Sequence, residues 1–142
     1  MANRSRHTAK KYDRYIKTLA SDECQFCLLS KDDSGFVKES KYFWVIKNKF
    51  PFSVWDYRDV TDHLMIVPKQ HTDTLSSLSS QAALEFVNLV SDYEASGYSI
   101  YARAPSNPVK SVIHQHTHLI KGGNKRQRFL VYINKPYVRL SK

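Results

Sequence analysis

Between Ser79 and Gly97 the chain holds one long segment of helical period, QAALEFVNLVSDYEAS, and every other apolar run is short. That contrast constrains the fold more than any other feature. Leu84, Val87, Leu89 and Val90 give the segment its apolar stripe, Ser79 or Ser80 can cap it, and Gly97 ends it. Around it lie strand-like runs rich in Val, Ile and aromatic residues: GFVKES, YFWVIKN, DHLMIVP, YSIYARA, KSVIHQHTHLIK and RFLVYIN. GFVKES and YFWVIKN read as an antiparallel pair, and Pro68 stops the run Leu64 to Val67. KFPFSVWDYRD, with Pro51 and mixed polarity, reads as a loop, while KDDSG, APSNP and GGNK read as turns. Several strands with a single long helix between them imply an α+β domain on a mostly antiparallel sheet.

The 142 residues suit one domain. The first 20, with Tyr12, Tyr15, Ile16 and Leu19 at helical spacing, read as a short basic amphipathic helix packed on that domain, and residues 122–142 as a last strand and a basic tail. With 42% hydrophobic and 25% charged residues the composition is that of a soluble globular protein, and no apolar run approaches the ~20 residues that span a bilayer. No secretory signal is recognisable at the N-terminus, so the expected location is cytoplasmic, with no membrane partner. The formal net charge of +9 favours phosphate-bearing partners. Because the basic residues concentrate at the two ends, nucleic acid contacting the termini is one reading and solvated ends the other.

Three of the six histidines fall in VIHQHTHLIK at every second position. On a strand His114, His116 and His118 would line one face, about 6.5 Å apart at Cα, with Gln115 and Thr117 on the other. Two chemistries use such a row. One is a metal site taking two of the three imidazoles with ligands from elsewhere. The other is nucleophilic catalysis, in which a neutral imidazole forms a covalent intermediate, a second group orients it, and a third stabilises the leaving oxygen. Cys24 and Cys27 form a lone CxxC, which in a reducing compartment is a metal half-site or a redox pair more often than a structural bridge.

HQHTHLI resembles the motif of the histidine triad nucleotide-binding superfamily, His-x-His-x-His followed by two apolar residues. The upstream DHLMIVPKQHTDTLSSLS and the CxxC match the same family in the same order, over residues 22–121. The resemblance implies a HIT-like α+β fold, with a mostly antiparallel five-stranded sheet, one long helix and a short N-terminal helix. It implies that His116 is the nucleophile toward the α-phosphorus of a nucleotide, that His118 contacts the phosphate or leaving group, and that Ser111 does likewise. From the zinc-containing branch it implies a structural zinc held by Cys24, Cys27, His71 and His114, with His116 and His118 left for chemistry. It places the nucleoside against Val45, Ile46, Lys47 and Asn48, and it implies a homodimer through the long helix and an edge strand. Phe43, Trp44, Phe50 and Phe52 are candidates to stack on a base, though strand aromatics are more often core, and His63 reads as a packed or capping histidine rather than a catalytic one.

The chain departs from the family pattern in three places. Gln115 and Thr117 stand between the triad histidines where apolar residues are usual, so the reverse face of that strand should be wetter. Lys110 stands where the family often has Gln, and Arg103 where it has Asn. Both add positive charge beside the implied phosphate site, which would favour highly charged substrates such as a dinucleoside polyphosphate or a nucleotide attached to a nucleic-acid end, or would leave nucleotide binding without turnover. The expected activity is therefore a nucleotide hydrolase or nucleotidyl transferase acting at the α-phosphate on a dinucleoside polyphosphate, phosphoramidate or similar substrate. The rivals are a non-catalytic zinc-stabilised binding module for nucleotide or nucleic acid, and a metalloenzyme that uses the histidine row as catalytic ligands.

Overall fold

The computed structural model describes residues 4–18, 24–126, 130–134 and 137–141, the last two stretches by their backbone alone. Leu19, expected in the first helix, lies outside them. The elements are α1 (Arg6–Thr18), β1 (Phe36–Glu39), β2 (Phe43–Lys47), β3 (Val54–Trp55), β4 (Arg58–Pro68), a 3-10 turn (Leu75–Ser77), α2 (Ser80–Ala95), β5 (Ser99–Ala102), β6 (Thr117–Arg126), β7 (Leu130–Asn134) and β8 (Tyr137–Ser141). The class is α+β. Strands β1-β2-β4-β6-β5 form an antiparallel path of five, and β3 adds a sixth strand by pairing with the start of β4. β7 and β8 form a separate antiparallel pair, so the segment read as a basic tail contains a strand of its own.

Period-two alternation splits the central strands between two faces. Phe43, Val45, Leu64, Ile66 and Leu119 pack with Ala82 and Leu89 beneath α2. Ile46, Met65 and Val67 face the other way and pack with Phe26 from the turn between the two cysteines. Ser79 caps α2, its hydroxyl accepting from the Ala82 N–H at 3.2 Å, and Gly97 takes φ +85° just beyond the helix. Leu84 and Val87, read as part of the inward stripe, are 65% and 56% exposed, and the buried face runs instead through Ala82, Phe86, Leu89, Val90 and Tyr93.

Two turn readings are corrected. KFPFSVWDYRD is not all loop, because Val54 pairs with Asp59 and Trp55 with Arg58 around Asp56 and Tyr57, both at positive φ (46° and 60°). That is the left-handed pair a two-residue hairpin of right-handed twist requires, made here without glycine. GGNK is not a turn but the middle of β6, where a Cβ on Gly123 would come within 2.6 Å of the Asp59 carboxylate. The glycine is there for close approach of β4.

The triad strand also begins later than its alternation suggests. β6 starts at Thr117, and His114 and His116 precede it. Their backbone is pinned instead by the Gln115 N–H, which donates to the Thr72 carbonyl at 2.6 Å. The reverse face is dry: Gln115 and Thr117 are 3% and 2% exposed, since β6 lies between β4 and β5 with α2 over that side.

Candidate active site and metal cluster

β4 and β6 bring the histidines together. His63 pairs across the ladder with Ile120, and Met65 with His118, so His63 and His118 are diagonal neighbours on the face away from α2. Their rings meet, with His63 Nε2 3.0 Å from His118 Nδ1. His114, His116 and His118 are all buried, at 0%, 8% and 5% exposure.

The hydrogen bonds fix the proton on each ring. His114 Nε2–H donates to the Pro68 carbonyl at 2.9 Å, which leaves Nδ1 with its lone pair. That Nδ1 lies 3.3 Å from Cys24 Sγ and 3.5 Å from Cys27 Sγ, while Cys27 Sγ is 3.3 Å from His71 Nδ1. The ligand atoms of Cys24, Cys27, His71 and His114 lie within 4.8 Å of one another, close enough to bind one metal ion. Two sulfurs and two imidazole nitrogens make the donor set of a tetrahedral structural site, and the bond to Pro68 is the kind of outer support that orients a ligating imidazole.

His116 carries the opposite tautomer. Its Nδ1–H donates to the carbonyl of His114 at 2.8 Å, so Nε2 is unprotonated in the neutral ring. Burial pushes its basicity below that of an ordinary imidazole, and the nearby Lys110 and Arg103 charges push the same way. Phe26 packs against both His114 and His116, at ring centroid distances of 5.8 and 5.1 Å, and so joins the cysteine turn to the triad.

His118 is set by His63. The Phe52 N–H donates to His63 Nδ1 at 3.1 Å, so the neutral His63 carries its proton on Nε2 and donates it to His118 Nδ1. His118 then holds its own proton on Nε2. Burial lowers His63 to about 4 and His118 to about 2, so both rings are neutral at physiological pH. The Asn48 amide nitrogen also lies 3.1 Å from His63 Nε2. Because both groups carry hydrogen there, that approach is a contact and not a bond; Asn48 Oδ1 is held by the Phe50 N–H at 2.9 Å. His63, read from the sequence as a packing residue, is thus part of the histidine network. Its signal was available: it is two residues before Met65 on the same face of β4.

His116 and His118 line a cavity of about 670 Å³, within the range of small-molecule sites. Ile46, Lys47, Asn48, Arg103 and Ser111 line it as well. Val45 does not, since it faces the core below α2. Nor does Lys110, whose Nζ donates to Gln115 Oε1 at 3.0 Å and to the Asp73 carbonyl at 3.2 Å. The structure therefore brings together every proposed metal ligand, and every proposed cavity residue except Val45 and Lys110; Lys110 acts on His114 and His116 only through its charge.

No protein-family profile matches the chain, and no curated protein matches it by sequence. Solved structures do. A HIT family hydrolase from Clostridium thermocellum is similar at TM-score 0.55 and 20% identity, over 74% of this chain and 95% of that one. A HIT family hydrolase from Legionella pneumophila is similar at TM-score 0.51 and 22% identity, over 72% and 95%. A diadenosine triphosphate hydrolase from Plasmodium falciparum, solved with cyclomarin A, is similar at TM-score 0.51 and 15% identity, over 86% and 83%. The chain has the fold of the histidine triad proteins, and the resemblance carried by HQHTHLI extends from motif to architecture. Among the described residues no helix is long and apolar enough to cross a membrane.

Proposed function

We propose that the protein is a nucleotide hydrolase or nucleotidyl transferase that works at the α-phosphate through a nucleotidyl-histidine intermediate. The observation that carries this is the bond from His116 Nδ1–H to the His114 carbonyl, which leaves a neutral imidazole with a free Nε2 beside the cavity. In the first step the Nε2 lone pair forms a nitrogen–phosphorus bond, and the phosphorus–oxygen or phosphorus–nitrogen bond to the leaving group breaks, its electrons going to the departing atom. In the second, water or an acceptor hydroxyl attacks phosphorus and gives its O–H proton to solvent, the nitrogen–phosphorus bond breaks, and the pair returns to Nε2. His118 Nε2–H, held by the His63 relay, donates to a phosphate oxygen or the leaving atom, and Arg103 and Ser111 contact the phosphate. Ile46, Lys47 and Asn48 border the nucleoside. His63 acts through His118 and is a positioning residue.

The four-residue cluster is best suited to zinc, which would close a tetrahedral site with no open position and fasten the cysteine turn to the His71 and His114 segments. That favours a structural metal over a catalytic one. Leu84 and Val87 on α2 and the 37% exposed Ile100 on the edge strand β5 support a homodimer through that side. Residues 1–142 are read as a single domain, with its basic termini available to nucleic acid.

The test is intact-protein mass spectrometry under mildly alkaline denaturing conditions, after brief mixing with adenosine and guanosine polyphosphates and a phosphoramidate. A nucleoside monophosphate adduct in the wild type, absent from His116→Ala, is the expected result and names the base. No adduct and no product in the same samples would replace this reading with that of a non-catalytic nucleotide-binding module.

A further inference from the structure

α2 is anchored by the buried Ala82 and Leu89, whereas the N-terminal helix has no such anchor. None of its residues is buried, yet Tyr12 and Tyr15 line the same cavity as His116 and His118, and so does Arg4 just before the helix. Its attachments centre on Phe50 and extend to Ser53 and to Gln25. The Arg4 Nε–H donates to the Phe50 carbonyl at 2.9 Å, Tyr12 and Tyr15 sit 5.3 and 5.2 Å from the Phe50 ring, and the Ser5 N–H donates to Ser53 Oγ at 2.6 Å. The Tyr15 hydroxyl donates to Gln25 Oε1 at 2.8 Å, which ties the helix to the turn between the cysteines. All these contacts hold Arg4 at the cavity wall, while Arg6, Lys10, Arg14 and Lys17 remain exposed on the outer side.

The guanidinium of Arg4 lies over the Phe52 ring at 5.1 Å, and Phe52 packs on His63 and His118. The guanidinium of Arg103 lies over the Tyr101 ring at 5.6 Å, and Tyr101 stacks on His118. Two arginines from distant parts of the chain thus approach His118 across two different rings. Their fields are spaced along the histidine row: Arg103 bears on His116 and His118, and Arg4 on His118 and His63. One phosphate at His116 does not need a cation displaced toward His63. A chain of phosphates does.

We propose that Arg4 is a specificity-determining residue of the substrate site, contacting a phosphate beyond the α-phosphate, so that the N-terminal segment selects nucleotides carrying a polyphosphate group. This inference rests on the proposed use of the cavity for nucleotides, and its test reads binding alone, so that it stands or falls apart from turnover. α1 is then a wall of the site with Tyr12 and Tyr15 as its supports. The proposal also explains how a helix without a buried residue is worth keeping in place: what it positions is a charge.

The experiment measures dissociation constants of the full chain for nucleoside monophosphates and for the matching α,β-methylene triphosphates, whose bridging carbon is not a leaving group, with adenosine and guanosine in parallel. Wild type is expected to prefer the triphosphate analogue, and Arg4→Gln to lose about tenfold of that preference, the size of one charge-assisted hydrogen bond, with monophosphate binding changed less than about twofold. Arg4→Lys should recover part of it, and Lys10→Gln with Arg14→Gln on the outer face should leave it intact. An equal loss for both ligands in Arg4→Gln would make Arg4 a structural pin and overturn the proposal. An equal effect of the outer-face changes would reduce it to the general field of the helix, again overturning it. If no nucleotide binds at all, this inference and the proposed function fail together; if the preference is present without turnover, only the catalytic reading fails.

Discussion

His114 and His118 stand four residues apart in one motif, bury the same ring to nearly the same extent, and are held in opposite senses. His114 gives its Nε2–H to Pro68 and presents a lone pair on Nδ1 to two sulfurs. His118 receives a hydrogen on Nδ1 from His63 and keeps its own on Nε2. His116 lies between them and hands its Nδ1–H back to the His114 carbonyl. The comparison teaches that the motif supplies only imidazoles, while the carbonyls and the fourth histidine around it decide which nitrogen keeps a lone pair toward the sulfurs, which keeps one toward the cavity and which carries a hydrogen.

The hardest blow to this division of labour is His116→Ala. If His116 is the proposed nucleophile, turnover should fall by about 10⁴-fold or more, while metal content measured on the same preparation stays at the wild-type level. Loss of metal together with activity would mean that the row works as one metal site. The converse change is Cys24→Ser. Metal stoichiometry should drop, and unfolding in urea should show a loss of about 3 kcal/mol or more, because a metal bound only by the folded state contributes its binding free energy to folding. If Cys24→Ser keeps its metal and its stability, the cluster is not a structural site.

Much of this was legible in the sequence, and the gaps have physical causes. The long helix, a serine cap at Ser79 or Ser80, the strand character of β1, β2, β4, β5 and β6 and the pairing of β1 with β2 follow from period and punctuation, while the order of the strands across the sheet does not. The HQHTH alternation places the three rings correctly even though the strand itself begins only at Thr117, because an extended chain alternates with or without ladder partners. The β3–β4 hairpin was not readable, since Asp56 and Tyr57 occupy left-handed positions that a sequence reader assigns to Asn-Gly. The His63 relay depends on cross-strand register between β4 and β6, which no local pattern contains. Lys110 looked like a phosphate ligand from its position, but a buried Gln115 carbonyl oxygen captures it. The contact of Arg4 with Phe50 spans 46 residues and is likewise a property of the fold.

The His63–His118 end should also reveal itself through pH. His63 in the unfolded chain takes up a proton near pH 6.5, and in the folded protein only near 4. Between those values the unfolded state binds more protons, so stability is fully present above about pH 6.5 and is lost as pH falls toward 4. For His63 alone the loss is roughly 3 kcal/mol at the bottom of that window, to which the still lower His118 adds in the same direction. Urea midpoints at pH 7 and pH 4.5 measure it. His63→Gln, which removes one titrating ring, should be less stable at pH 7 and lose less on acidification; an equal acid loss in both proteins would place the titration elsewhere.

The smallest effect separates the two faces of the same five residues. On the histidine face each ring finds a partner for the nitrogen that the site does not use. On the reverse face, under α2, Thr117 Oγ1 is buried and has no hydrogen-bond partner among the described residues. Burying a hydroxyl without a partner costs about 1–3 kcal/mol, and valine has nearly the same shape without that cost. Thr117→Val should therefore raise the unfolding free energy by about 1 kcal/mol, part of the gain being lost to imperfect packing, and leave metal content and nucleotide binding unchanged. A stabilised protein with an intact site would show that the sequence constraint at HQHTH acts on one face only. A destabilised one would mean that the hydroxyl has a use in the β4–β6–β5 ladder, and that the contrast between the two faces is smaller than the hydrogen bonds imply.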